Sequence, residues 1–345
     1  MKKTLLATAI AAVAFSGSVM AQTSGTAPSA DSRADELAAR IDSMPEVYGN
    51  IQFAVVHQNV EDGSSSIGHY DNGSTIGVKH SHQITSGLEG FFKAELEFNA
   101  DDKADNDGLN AFDEAYIGVR GDQFGQLWVG SDDSTYERAI DEIANYFEYA
   151  AMNIGGSYET GEGDLIQYMT PSFSGLKLHA AVQFNGDGDA RTGGEKSYPY
   201  QIAATYEIDA LELAVAMDSN DGNTTYSKSV PSNSNENTYG LRASYDLDDL
   251  RITGQYQTRG DFYDSYGVFA AYSMGPNVFA AAVEQISYDE ADEVDGTVLT
   301  VQALHNLSSN MYLYVEGYYG TGDDDFAGTG SDGAQDVAVG GVYYF

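Results

Sequence analysis

The chain is 345 residues long, carries 53 acidic against 16 basic side chains for a formal net charge of −37, and has no cysteine. So acidic a balance excludes a nucleic-acid partner, which needs a basic footprint, and the missing cysteine excludes disulfide staples. Aromatics make up 12% of the chain, with 25 Tyr and 15 Phe, which excludes a disordered polyanion.

The chain opens on "MKKTLLATAIAAVAFSGSVMA": Lys2 and Lys3, an apolar stretch from Leu5 to Phe15, and the small-residue site Val19-Met20-Ala21. This reads as a secretory signal over residues 1–21, too short to span a bilayer comfortably. It predicts export, with Gln22 as the first mature residue and a mature charge of −39 once Lys2 and Lys3 are lost from −37. Residues 22–46 form an extension in which "SADSRADELAARIDSMP" predicts a short helix, with Ser32 and Asp35 as a capping box and Leu37, Ile41 and Met44 on one face. Such a segment serves either as a periplasmic tail or as a helix that enters a barrel or bundles between copies.

From Val47 onward the period is 2. "LEGFFKAELEFN" sets Phe92, Ala94, Leu96 and Phe98 against Lys93, Glu95 and Glu97, and "GLKLHAAVQFN" sets Leu176, Leu178, Ala180, Val182 and Phe184 against Lys177, His179, Ala181, Gln183 and Asn185. "TYGLRASYDL" and "LRITGQYQTR" divide in the same way. About sixteen such segments of roughly ten residues follow one another. They begin near Val47, Ser74, Leu88, Asn110, Gly125, Asp164, Gly175, Tyr198, Leu211, Asn237, Leu250, Tyr263, Asn277, Thr297, Met311 and Gln335. Short turns such as Asp248-Asp249 and Gly275-Pro276-Asn277 alternate with long acidic, Gly-rich loops such as "NGDGDARTGGEKS". The strands exceed the usual five or six residues, and their polar face is too charged for a sandwich core. The expectation is an all-β, 16-stranded antiparallel transmembrane barrel over residues 47–345, with short periplasmic turns and long external loops, its polar face around water. The last stretch, "DVAVGGVYYF", is then the strand that pairs with "VYGNIQFAVV" and closes the sheet, with Tyr343 and Phe345 outward.

On the first strand "VYGNIQFAVV", the second "STIGVKHS", the strand-turn-strand "AFDEAYIGVRGDQFGQLWVG", "IQYMTPSFSGLKL" and the terminal "GGVYYF", the chain resembles the general porins of Gram-negative outer membranes from Val47 to Phe345. The resemblance implies a homotrimer in outer-membrane lipid and lipopolysaccharide, a terminal Phe345 read by the assembly machinery, and a third loop folded into the barrel. Glu114 and Gly118 are read as outward residues of a subunit interface. The constriction loop falls at Ser131 to Gly163, where a helix-like run spans Tyr136 to Tyr149. Its acids are Asp132, Asp133, Glu137, Asp141, Glu142, Glu148, Glu159 and Glu162, with Arg138 its one base. Glu137, Asp141, Glu142 and Glu148 are the expected constriction acids. The family's Pro-Glu-Phe-Gly-Gly signature is absent, and the wall positions where relatives hold Arg fall on Thr75, Asp113, Ser131 and Met169. Lys79, Lys93, Asp113, Arg120, Arg242 and Arg251 are the expected charged wall.

The function expected is passive diffusion of ions and small hydrophilic solutes, with a preference for cations. The rival readings are a substrate-selective channel and a barrel enzyme. The enzyme would need a nucleophile beside His or Asp, and His179, the one lumen-facing His expected, has no such companion motif. A plugged transporter needs about 22 strands. No cofactor or metal is expected: His80 and His82 share a strand face without a third ligand, and Lys103 sits where a calcium loop ending at Glu114 needs its first Asp.

Overall fold

In the computed structural model, the residues described are 44–101, 111–156, 158–184, 198–221, 236–289, 295–322 and 331–345. The chain divides into two units, Met1–Glu46 and Val47–Phe345. Nearly all of the first, including the expected signal and capping box, lies outside the described residues, as does most of the calcium-like loop.

The second unit is one antiparallel sheet. Its strands are β1 (Glu46–Val60), β2 (Ser65–Asp71), β3 (Thr75–Thr85), β4 (Leu88–Glu97), β5 (Ala111–Gly121) and β6 (Gly125–Ser131). A short helix, α1 (Thr135–Ile140), precedes β7 (Leu165–Met169), β8 (Leu176–Gln183), β9 (Tyr200–Ile208), β10 (Leu211–Asp218), β11 (Thr238–Leu247) and β12 (Leu250–Arg259). Then come β13 (Tyr263–Met274), β14 (Asn277–Tyr288), β15 (Gly296–Ser308), β16 (Met311–Gly322) and β17 (Gly333–Tyr344). Because β2 and β3 both pair with β1, the seventeen segments make sixteen staves. Between β2 and β3 the Asp71 carboxylate accepts the backbone N–H groups of Gly73 (2.9 Å), Ser74 (2.7 Å) and Ala100 (3.2 Å), which breaks the ladder. The second stave thus begins at Ser65, earlier than the expected Ser74.

The sheet closes. β17 runs antiparallel to β1 from Asn50↔Tyr344 to Val60↔Ala334, so the terminal strand leaves no open edge there. Side-chain alternation then separates two environments. Val215, Leu241 and Val339 keep about half their surface on the outer face, at 48%, 51% and 53%, while Gln201, Ser244 and Gln257 on the inner face keep none. Tight turns join the staves at one end: Asp248 and Gly275 take positive φ (51° and 61°) in two-residue connections, a conformation that Asp tolerates and Gly adopts freely.

Cross-strand register corrects one expectation. Lys93 opposes Tyr116 on the inner face, and its ammonium meets Glu114 at 2.5 Å. Gly118 opposes Trp128, and a Cβ at Gly118 would fall on Phe91 and 2.7 Å from the Trp128 Cβ. Glu114 and Gly118 therefore point inward. A bulge between Ala94 and Leu96 shifts the alternation of β5 by one residue, which period counting along the strand alone does not reveal.

Candidate functional site: the inward loop and the charged lumen

The chain between β6 and β7 folds against the inner wall. Asp132 starts it by accepting hydrogen bonds from Trp128 Nε1 (2.6 Å) and from Arg138 (2.8 Å). Ser134 caps α1, its hydroxyl accepting the Glu137 N–H at 3.2 Å. The buried face of α1, Tyr136, Ala139 and Ile140, packs on Ala203, Ala214 and Ala216 of β9 and β10. A Cβ at Gly240 would lie 2.6 Å from the Tyr136 hydroxyl and 2.7 Å from Ile140 Cγ1, so the wall is small where the helix lies. Beyond α1, Ile143 and Phe147 pack on Phe269, Ala280, Ala282 and Tyr318, and Met152 and Ile154 on Val298 and Ala334.

The helix is shorter than the expected run to Tyr149. It ends at Ile140, with Asp141 at φ −81°, ψ 41°. Wall groups claim the polar atoms that follow. Gln257 donates to the Asp141 carboxylate at 2.8 Å, and Tyr136 Oη donates to the Gln257 carbonyl at 2.9 Å. Further on, the buried carboxylate of Glu316 accepts the backbone N–H groups of Glu148 (2.7 Å) and Tyr149 (2.9 Å), together with Gln302 (2.8 Å) and the Tyr318 hydroxyl (2.7 Å). Asn72 at the β2–β3 break donates to the Glu148 carbonyl at 2.6 Å.

The four acids expected at the constriction occupy four different environments. Asp141 is buried against the wall at 3% exposure, which amends its expected place on the open lumen. Burial pushes its carboxyl up to about 6, against the hydrogen bonds from Gln257 and Gly156. Glu142 is bound by the two arginines expected to act as independent wall charges. Arg242 contacts it, Arg251 donates from Nε (2.6 Å) and Nη2 (2.8 Å), and Thr253 (2.7 Å) and Ser244 (2.9 Å) complete its shell. Burial acts to raise its pKa, but the two guanidinium groups and Thr253 outweigh it and hold the carboxyl at about 2. Glu212 bridges the same arginines, and Asp246 meets Arg251 at 3.0 Å. Loop and wall therefore form one ion-pair network, with Arg242 and Arg251 spent inside it. Glu148 accepts the Tyr312 hydroxyl at 2.8 Å, and burial raises its carboxyl. Glu137 accepts from Asn145 at 3.1 Å and gathers with Asp133 and Glu162, their carboxylate oxygens within 4.8 Å of one another.

The other expected wall charges lie on β3 to β5. Lys79 and Lys93 place their ammonium groups 4.7 Å and 5.7 Å from the Tyr48 ring. Beside them the carboxylates of Glu95, Asp113 and Glu114 also fall within 4.8 Å of one another. Two lysines thus face three acids, and the Lys93 ammonium already supplies the counter-charge a cation would bring. Arg120 pairs with Glu89 near the short-turn end and lies 5.2 Å over Phe91. His80 and His82 stack on the outer face beside Phe92 (ring centroids 5.9 Å apart). His179 faces inward, its Nε2 3.1 Å from Thr205 Oγ1. Phe345 exchanges backbone hydrogen bonds with Gly49, its N–H donating at 3.0 Å.

Glu212, Gln257 and Glu316 carry much of the loop's docking and were not singled out from the sequence. Small residues on the polar face of neighbouring strands (Ala203, Ala214, Ala216, Gly240) are the signal that marks where an inward segment must lie.

The fold agrees with comparisons to known proteins. A relative from Halomonas called a monosaccharide porin is 29% identical over a 405-position alignment covering 100% of both chains. An outer membrane porin protein of Bordetella pertussis is 27% identical, with 84% of this chain and 80% of that one covered. Among solved structures, the anion-selective porin from Comamonas acidovorans superposes with a TM-score of 0.68 at 18% identity, covering 88% of this chain and 99% of that one. Salmonella typhi OmpF does so at 0.69 and 17%, with the same coverage. The model of the Gram-negative porin family matches residues 7–325. A closed sheet of sixteen staves with an inward third loop, in a chain that this model spans almost entirely, makes the protein an outer-membrane channel of the Gram-negative porin family.

Proposed function

We propose that the channel passes ions and small hydrophilic solutes by diffusion and prefers cations. One observation carries the reading: all five described arginines, at 120, 138, 242, 251 and 259, are ion-paired with carboxylates. Asp133, Glu137, Glu148 and Glu316 have no such partner among the described residues. A low-dielectric wall focuses the field of those remaining acids, and acidic rings favour cations. Anion selectivity is a property of the Comamonas porin, and 18% identity carries the fold alone. The reversal potential under a KCl gradient tests the sign. Potassium preference is expected, and it weakens with salt as the Debye length shrinks from about 10 Å at 0.1 M to about 3 Å at 1 M. Chloride preference refutes it.

The same reading places residues 1–21 as an export signal, Phe345 as the assembly signal, and a homotrimer in lipid and lipopolysaccharide. An unheated electrophoretic band at monomer mass alone refutes the trimer. A second reading, substrate selectivity, draws on the similarity to the Halomonas monosaccharide porin.

A further inference from the structure

On the inner wall between α1 and strands β6 to β9 lies a niche of about 190 Å³, lined by Gln126, Trp128, Thr135, Arg138, Ala139, Met169, His179 and Thr205. It sits apart from the Glu142 network. Two of its walls, Gln126 and Met169, also line a wider cavity of about 670 Å³ that includes Glu89, Arg120 and Lys177 near the short turns. The niche therefore adjoins that wider cavity on the side of the short turns.

Its chemistry is specific. Ala139 and Met169 supply an apolar bed. Around it stand uncharged hydrogen-bonding groups: the Gln126 amide, which has no hydrogen bond among the described residues, and His179, whose Nε2 meets Thr205 at 3.1 Å while Nδ1 has no described partner. The single charge is already committed. Arg138 donates one terminal nitrogen to Asp132 (2.8 Å) and the other to Gln167 (2.9 Å), and its guanidinium lies 5.1 Å over the Trp128 ring. An anion would find no spare positive charge there, and a cation no carboxylate in the lining. The volume lies below the ~300–1,000 Å³ of pockets for drug-sized ligands. A molecule with hydroxyls around apolar C–H faces satisfies both the bed and the rim.

From this geometry we infer that the niche is a weak subsite for one neutral, polyhydroxylated solute of monosaccharide size. The inference rests on the diffusion-channel reading and adds to it a saturable step below the constriction loop.

The chain's single tryptophan is a wall of the niche, which makes its emission a direct readout. The detergent-solubilised full-length protein is titrated with D-glucose, and with dextran at equal mass concentration. Glucose is expected to change Trp128 emission saturably, whereas dextran, too large for the niche, leaves it unchanged. In Gln126→Leu/His179→Leu, which keeps much of the bulk and removes the polar rim, the half-saturating concentration is expected to rise about tenfold or more, the equivalent of one or two ordinary hydrogen bonds. Gln126→Leu alone serves the same purpose should the double variant fail to insert. KCl conductance is recorded on the same preparations and is expected to stay unchanged. A linear response, one matched by dextran, or one unaltered in the variants overturns the subsite. If conductance persists in that case, the channel reading stands; absence of conductance in the wild type overturns both.

Discussion

Replacing Glu142 by Gln tests the view that the third loop is held by charge as well as by packing. The wild-type carboxylate takes five hydrogen bonds, from Arg242, Arg251 twice, Ser244 and Thr253. Its pKa falls from 4.5 to about 2, a shift worth about 3 kcal/mol at 1.36 kcal/mol per pKa unit. The group is partly exposed, with 19% of its side-chain surface accessible, so screening reduces the usable anchoring to ~2 kcal/mol. That corresponds to a roughly 30-fold rise in the undocked fraction of the loop. The sheet itself should survive, since its ladders do not depend on this residue. Single-channel recording of E142Q is expected to show flickering conductance where the wild type is steady, and a reversal potential moved toward chloride because Arg242 and Arg251 lose a counter-charge. Adding Arg251→Gln should cost less than the sum of the two single changes, because the pair acts as a unit. A variant as quiet as the wild type with the same reversal potential would refute the reasoning. Because the folded value lies below the unfolded one, this anchoring is complete above about pH 4.5 and is lost as pH falls through about 2.

Asp141 behaves in the opposite sense: its folded value, raised to about 6 from 3.8, makes loop docking strengthen as pH falls through that interval. Asp141→Asn, which preserves a partner for Gln257, is expected to remove that pH dependence and quieten the channel at pH 7; unchanged pH dependence of the flicker counts against the assignment. Gly240→Val places a side chain where Tyr136 and Ile140 already lie, an overpacking penalty of about 1–3 kcal/mol. It is expected to displace α1 and admit larger oligosaccharides in liposome swelling, and an unchanged size limit would show that α1 does not set the passage.

What the sequence determined alone is the barrel. Alternation such as Leu176, Leu178, Ala180 against Lys177, His179, Ala181 needs two environments, and strand starts at Leu88, Gly125, Leu211, Leu250 and Asn277 emerge in the structure where the period and the turns put them. Those signals are local, set by neighbours two residues away or by a turn's own φ. The interior was decided by the tertiary structure. The run from Tyr136 to Tyr149 has helical character as a peptide, yet it stops at Ile140 because Gln257 and the β11–β12 arginines, a hundred or more residues away, take the carboxylates of Asp141 and Glu142. Likewise the bulge opposite Glu95 turns Glu114 and Gly118 inward. Charge count is a property of the sequence, but which charges remain unspent depends on distances of a few ångströms between segments that only the closed sheet brings together.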